Sequence, residues 1–251
     1  MRGVYWQPAM KVFAIIPAAG LGTRMSSAPS SKSKKGAPSK QFAELGGTPI
    51  LIHTLRRFTS SPEVGEIWVA LRAEEMANFR ARLEKENKEA VQRNVHLVEG
   101  GEHRQQSVAN ALAAINAADD DVILVHDAVR PLVTPEIISE VIGAAGKYGA
   151  AIAGLPAVDT VKQVDRTSEG ALVKATIPRE RVVMAQTPQG FRYSLLKQAF
   201  DEAARDGFTG TDEASLVERA GHAVAVVMGS PKNIKITTPA DLELAEFYLR
   251  Q

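Results

Sequence analysis

Short apolar runs rich in β-branched residues alternate along this chain with segments of helical period, and that alternation constrains the fold more than any other feature. The runs are Val12–Ile16 (VFAII), Glu66–Leu71 (EIWVAL), Val95–Val98 (VHLV), Asp121–His126 (DVILVH), Ala150–Leu155 (AAIAGL) and Ala223–Met228 (AVAVVM). Most are apolar at successive positions, which predicts strands covered on both faces, as in a parallel sheet whose crossovers are helices. The helical segments between them fit that role. Pro49–Phe58 sets Ile50, Leu51, Leu55 and Phe58 on one face, and Glu74–Ala90 is a charged amphipathic helix. Gln105–Ile115, Pro135–Tyr148, Ser194–Arg205 and Asp241–Leu249 follow, the last preceded by Thr238 as a cap and Pro239 at the first helical position. The pattern predicts an α/β fold with a mostly parallel central sheet flanked by helices. At 251 residues a single core is expected.

Three segments depart from this rhythm. Residues 1–10 (MRGVYWQPAM) lack a continuous apolar stretch and are expected to form a loose extension, leaving 11–251 as the domain. Residues 26–40 (SSAPSSKSKKGAPSK) hold no apolar side chain larger than alanine, so a mobile basic loop is expected. Residues 157–181 show two stretches of period two, VKQV and ALVKATI, around a polar turn, which predicts a hairpin projecting from the sheet. An isolated hairpin is marginal in water, so a second subunit packing on it is the natural expectation.

Composition excludes several classes. Thirty Lys and Arg against 29 Asp and Glu leave no field to hold a nucleic acid. No apolar run approaches the roughly 18 residues of a membrane span. The chain has no cysteine, so disulfides, thiolate zinc sites and cysteine nucleophiles are excluded, and a reducing cytoplasm is expected. Its five histidines show no zinc-ligand spacing.

The first strand runs directly into Pro17-Ala18-Ala19-Gly20-Leu21-Gly22-Thr23-Arg24-Met25. Small residues such as Ala18, Ala19, Gly20 and Gly22 let backbone N–H groups approach phosphate oxygens, although the same residues also suit a tight β-to-α turn. A Walker A loop is absent, and the dinucleotide fingerprint fails at its third glycine, which is Arg24. The loop resembles that of the sugar-nucleotidyltransferases, in which G-x-G-x-R is followed by a distant lysine, here Lys40. The resemblance implies that Arg24 and Lys40 neutralise charge growing on departing pyrophosphate.

Further motifs narrow the resemblance. Gly100-Gly101-Glu102-His103-Arg104 with Ser107, His126-Asp127-Ala128-Val129-Arg130-Pro131, Thr187-Pro188-Gln189, Thr211-Asp212-Glu213-Ala214 and Asn233-Ile234-Lys235-Ile236-Thr237 occur in order. Taken singly, they also read as helix starts, caps, surface ion pairs or a strand-edge lysine. Together they are similar to the 2-C-methyl-D-erythritol 4-phosphate cytidylyltransferases over nearly the whole chain. That family implies a single-domain Rossmann-like nucleotidyltransferase fold and a homodimer joined through residues 157–181. It also implies transfer of a cytidylyl group from CTP, carried with Mg²⁺ or another divalent cation, to a polyol phosphate.

The resemblance further implies that Gly101, Glu102 and Ser107 recognise cytosine, and that Arg130, Thr211 and Lys235 bind the acceptor. By the same resemblance Thr160 and Arg179 reach the partner's sugar phosphate. Asp127, beyond the end of a strand, is expected to hold metal or substrate. His126 is expected to be a structural hydrogen-bonding residue. Some positions depart from the pattern. The segment between Met25 and Lys40 is longer than usual, Ser39 stands for a common proline, Glu102 for aspartate and Val129 for alanine. Two enzyme alternatives stay open at this stage: a ribitol 5-phosphate cytidylyltransferase, and an NADP-dependent oxidoreductase using Arg72 on the 2′-phosphate. A non-catalytic nucleotide-sensing module is a third.

Overall fold

In a computed structural model, which describes residues 10–20, 39–86 and 94–251, the first strand, β1 (Val12–Pro17), is buried on both faces. Val12, Ala14 and Ile16 point into one apolar core, while Phe13 and Ile15 point into another. The period-two geometry of a strand makes this division, and helices on each side complete it.

On the first face lie α1 (Ile50–Thr59), α2 (Ala73–Glu86) and α4 (Pro135–Tyr148), contributing residues such as Leu55, Phe58, Phe79 and Ile138. On the second lie α3 (Arg104–Ala114), α5 (Tyr193–Arg205) and α6 (Glu213–Arg219), with Val108, Phe200 and Val217. Each fully buried side chain of this size stabilises the fold by roughly 1.5–3 kcal/mol.

The other strands of the main sheet are β4 (Glu66–Leu71), β5 (Val95–Glu99), β6 (Val122–Val125), β7 (Ala150–Pro156), β10 (Val183–Arg192) and β11 (Ala225–Met228). Together with β1 they run in the order β11-β7-β10-β6-β1-β4-β5. Only β10 is antiparallel to its neighbours. After β1 the chain moves outward through β4 and β5, then returns to the other side of β1 as β6. The crevice between β1 and β6 is therefore a topological switch point, where the loops beyond the strand ends diverge and leave room for a ligand.

The strands and helices read from periodicity are all present, with ends shifted by a residue or two. For the second helix, residues 87–90 lie outside the described residues. Among the elements that escaped that reading are a strand of the main sheet and a helix packed on it. β10 sits between β6 and β7, yet its sequence VMAQTPQGFR contains a proline and two glutamines. Pro188 is tolerated because the ladder breaks there: the register with β7 shifts between Ala185 and Gln189, so its missing N–H falls in a bulge. The second is α6, whose seven residues are too few to display helical periodicity.

The hairpin read in 157–181 is β8 (Val161–Thr167) paired with β9 (Gly170–Ile177) in a sheet of its own. No residue of either strand is buried. A smaller hairpin, β2 (Glu44–Leu45) with β3 (Thr48–Pro49), turns through Gly46 and Gly47 at φ 59° and 80°, where side-chain-free residues are needed. It packs beside the last helix, α7 (Pro239–Leu249), in a third apolar cluster of Leu45, Ile50, Val129, Leu132, Ile236 and Ala245. As expected, Thr238 caps α7, accepting from Asp241 N–H with Pro239 in the first turn. Among the described residues no helix is long and apolar enough to cross a membrane.

Candidate active site

At the switch point a cleft of about 270 Å³ is lined by Ala18, Ala19 and Gly20 beyond β1, Lys40 and Gln41, and the segment Gly101–Arg104 with Ser107. Asp127 to Val129 beyond β6 and Lys235 complete it. Of the residues singled out in the sequence, Ala18, Ala19, Gly20, Lys40, Gly101, Glu102, Ser107, Asp127 and Lys235 thus meet in one place. Gly22 and Arg24, like nearly all of the 26–40 segment, lie outside the described residues. Arg130 does not line the cleft but reaches it through Asp127, and its Nη1 donates to Asn233 C=O at 2.7 Å. Thr160 and Arg179 sit at the root of the arm, exposed, with Arg179 Nη1 donating to Val158 C=O at 2.6 Å. Thr211 is exposed and does not line the cleft.

Local chemistry explains how each wall is held. Gly100 must be a glycine, because a Cβ there would stand 2.4 Å from Ala19 Cβ. The Gly101–Ser107 turn is tied to itself: Ser107 Oγ accepts from Gly101 N–H at 3.1 Å and donates to His103 C=O at 3.1 Å, while Gln106 Oε1 accepts from Glu102 N–H at 3.0 Å. The Ser107 hydroxyl therefore holds the loop in shape, and the N–H groups of Gly101 and Glu102 have internal partners.

Asp127 is the electrostatic centre. Arg104 Nε lies 3.4 Å from Oδ1, and Arg130 Nε and Lys235 Nζ lie 3.2 and 3.0 Å from Oδ2. Burial alone would raise this carboxyl, but Arg104, Lys235 and Arg130 outweigh it and hold Asp127 well below the usual carboxylate range. Arg104 also grips Glu213 through Nη1, 2.7 Å from each carboxylate oxygen. Glu213 is 1% exposed, and burial pushes its carboxyl up against the opposing pull of Arg104.

His126 bears out the structural role expected for it. Thr187 Oγ accepts from Asp127 N–H at 3.0 Å and donates to His126 Nδ1 at 3.1 Å, so the imidazole Nε2–H donates to Arg130 C=O at 3.0 Å. Burial pushes this imidazole down to about 4, so the ring is neutral at pH 7 and the tautomer is fixed. The β10 bulge supplies Thr187 and two glutamines. Gln189 donates to Asp212 Oδ2 at 2.7 Å and accepts from Ala214 N–H at 3.1 Å, fastening the T-D-E-A segment. Gln186 holds Ser230 and Asn233, and Asn233 in turn donates to Thr187 C=O at 2.8 Å, which brings Lys235 over the cleft.

Sequence reasoning missed Arg104, Glu213 and Gln41 as working parts. The first two stood inside quoted motifs, but only the fold reveals that a residue pair 109 positions apart forms one ion pair. Asp212 caps α6, accepting from Ser215 N–H at 3.0 Å. Arg72 is engaged by Glu75, Glu74 and Ser39, so it is not held out for a 2′-phosphate.

Comparison with known proteins agrees with this arrangement. Residues 12–251 match the family described as IspD, 2-C-methyl-D-erythritol 4-phosphate cytidylyltransferase. Proteins of that name from Acidobacterium capsulatum and Solibacter usitatus are 58% and 52% identical to this chain, each over 96% of it and over 98% and 97% of themselves. The crystal structure of 4-diphosphocytidyl-2C-methyl-D-erythritol synthase from Anaerococcus prevotii superposes with a TM-score of 0.79 at 31% identity, covering 96% of this chain and 97% of that one. On fold, cleft and sequence together, the chain belongs to the 2-C-methyl-D-erythritol 4-phosphate cytidylyltransferase family and is a nucleotidyltransferase.

Proposed function

We propose that the chain transfers the cytidylyl group of CTP to the phosphate of 2-C-methyl-D-erythritol 4-phosphate, releasing pyrophosphate, in the synthesis of isoprenoid precursors. The observation that carries this reading is a single cleft at the switch point, lined by the glycine-containing β1 exit, Lys40, Lys235 and the Gly101–Ser107 turn. The acceptor phosphate is ionised near neutral pH, so one of its oxygens attacks the α-phosphorus without needing a strong general base. A P–O bond forms to the acceptor as the bond between the α-phosphorus and the bridging oxygen breaks, and the electron pair leaves on pyrophosphate. Two polyanions must meet for this, and Lys40, Lys235 and Arg24 offset their repulsion. Gly101, Glu102 and Ser107 form the wall against which the cytosine rests.

Asp127 serves here as the acid that orients Lys235, Arg104 and Arg130. Both of its oxygens face cations, and no group of three potential metal ligands stands together among the described residues. That donor set does not fit a resident metal centre. A divalent cation would instead come as part of the nucleotide substrate and would offset triphosphate charge, asking little of the protein.

The functional unit in this reading is a homodimer. Leu172 and Val173 on β9 are 68% and 63% exposed, and two strands without a core of their own are marginal in water. A second copy covering the arm would bring Thr160 and Arg179 to the partner's cleft. Sedimentation velocity should give a dimer, and the double variant Leu172→Asp/Val173→Asp should sediment as a monomer with impaired turnover. A monomeric wild-type chain with full activity would rule this out.

The activity is tested with purified protein, CTP and either 2-C-methyl-D-erythritol 4-phosphate or ribitol 5-phosphate, following pyrophosphate and the mass of the cytidine diphosphate product. The first acceptor should support turnover. Activity on ribitol 5-phosphate alone, or CTP binding without turnover, would overturn the proposal.

A further inference from the structure

Lys40 begins a turn of only three residues, Lys40–Phe42, closed by Phe42 N–H to Ser39 C=O at 2.8 Å and Ala43 N–H to Lys40 C=O at 3.1 Å. So short a 3₁₀ turn defines its own orientation poorly. It is fixed from outside, by the residues on either side of the lysine. Gln41, 2% exposed, donates through its amide to Ala18 C=O at 2.7 Å, joining the turn to the β1 exit. Phe42 packs against Phe79 of α2, ring centroids 5.9 Å apart. Before the lysine, Ser39 is buried against the corner where β4 passes into α2. Its hydroxyl accepts from Arg72 Nη2 at 2.7 Å and donates to Glu75 Oε1 at 3.1 Å, and Arg72 and Glu75 are themselves ion-paired.

We propose that Ser39, clamped between Arg72 and Glu75, is the positioning residue that holds Lys40 at the reacting phosphates. This rests on the reading of Lys40 given above. Ser39 itself lines no part of the cleft, so it acts through its neighbour. Its backbone stands at φ −58° and ψ 147°, an extended conformation open to any residue, so no special φ demands a serine here. The hydroxyl is what ties it down: both of its partners are charged, and hydrogen bonds to charged groups are the stronger kind. The corner that receives it is shared with the nucleoside-side loop, because Gly100 N–H donates to Leu71 C=O at 2.7 Å, one residue before Arg72. Lysine turn and glycine turn are thus referenced to the same end of β4.

The test is steady-state pyrophosphate release by Ser39→Ala, Ser39→Thr, Lys40→Ala and Ser39→Ala/Lys40→Ala, each checked for folding by thermal unfolding. Ser39→Ala should lower kcat about tenfold, within the roughly hundredfold that an ångström of misplacement can cost, and should leave KM for CTP within about twofold. Ser39→Thr, which keeps the hydroxyl, should recover most of the loss. In the Lys40→Ala background the serine change should have no further effect, since residues acting as one unit are not additive. Ser39→Ala with wild-type turnover beside an impaired Lys40→Ala would overturn the clamp alone. An equal loss in both backgrounds would overturn it too, by showing that Ser39 acts independently of the lysine. Wild-type turnover in Lys40→Ala would instead bring down the reading of the site, and the clamp with it.

Discussion

Replacing Lys40 with alanine is expected to lower the turnover number by about 10² to 10³ while leaving the fold intact. The size follows from where the charge sits. Two unit charges 4 Å apart interact by about 4 kcal/mol at an effective dielectric near 20, and only the part that strengthens as the leaving group gains charge accelerates the reaction. Removing one such preorganised partner typically costs about 2.7–4 kcal/mol of transition-state stabilisation. Stability should hardly move. Lys40 is half-buried at the rim of the cleft rather than packed in a core, and such substitutions usually stay within about 0.5 kcal/mol. The measurement is steady-state kinetics for both substrates beside a thermal unfolding scan. An unchanged turnover number would remove Lys40 from this role, and a large fall in unfolding temperature would show that the loss was structural.

What the sequence makes legible and what it hides follow from the range of the forces involved. β1 and β6 can be read directly because burial on both faces demands unbroken apolar runs, VFAII and VILV, which no exposed segment would carry. β10 could not be read this way. Its inward positions include Gln186, Thr187 and Gln189, whose partners Ser230, Asn233, Asp127, Asp212 and Ala214 come from distant parts of the chain. A strand that fastens other elements through polar side chains has no hydrophobic period to display, although its motif T-P-Q carried a resemblance. The cleft shows the same division. Ala18–Gly20, Lys40, Asp127 and Lys235 were nameable because their segments match family motifs, whereas the roles of Gln41 beside Lys40 and of Glu213 within T-D-E-A show only through burial and a long-range partner. The start of α6 is likewise hidden: a polar run ahead of a helix offers several caps, and backbone geometry selects Asp212.

Glu213→Gln should destabilise the protein by about 1.5–3 kcal/mol, because it removes one of the two buried carboxylates that pair with Arg104 and leaves only Asp127. For a chain of this length that is a fall of roughly 3–12 °C in unfolding temperature. The carboxylate now receives Arg104 Nη1 on both oxygens at 2.7 Å. An amide retains one acceptor but turns an NH₂ toward a group that can only donate. The consequence reaches the chemistry through Asp127, since an Arg104 freed from Glu213 is drawn wholly to that carboxylate and pulls the N-terminus of α3 with it. Stability and function separate in the double variant Arg104→Met/Glu213→Leu. Replacing both members of a buried ion pair by apolar side chains is often near neutral for stability, so the double variant should unfold close to the wild-type temperature. It should nevertheless lose turnover, because Asp127 would keep Lys235 and Arg130 but no longer be tied to the Gly101–Ser107 turn. Calorimetry on both variants and kinetics on the double decide the matter: a Glu213→Gln protein as stable as wild type would show that the pair contributes little, and a fully active double variant would confine it to the fold.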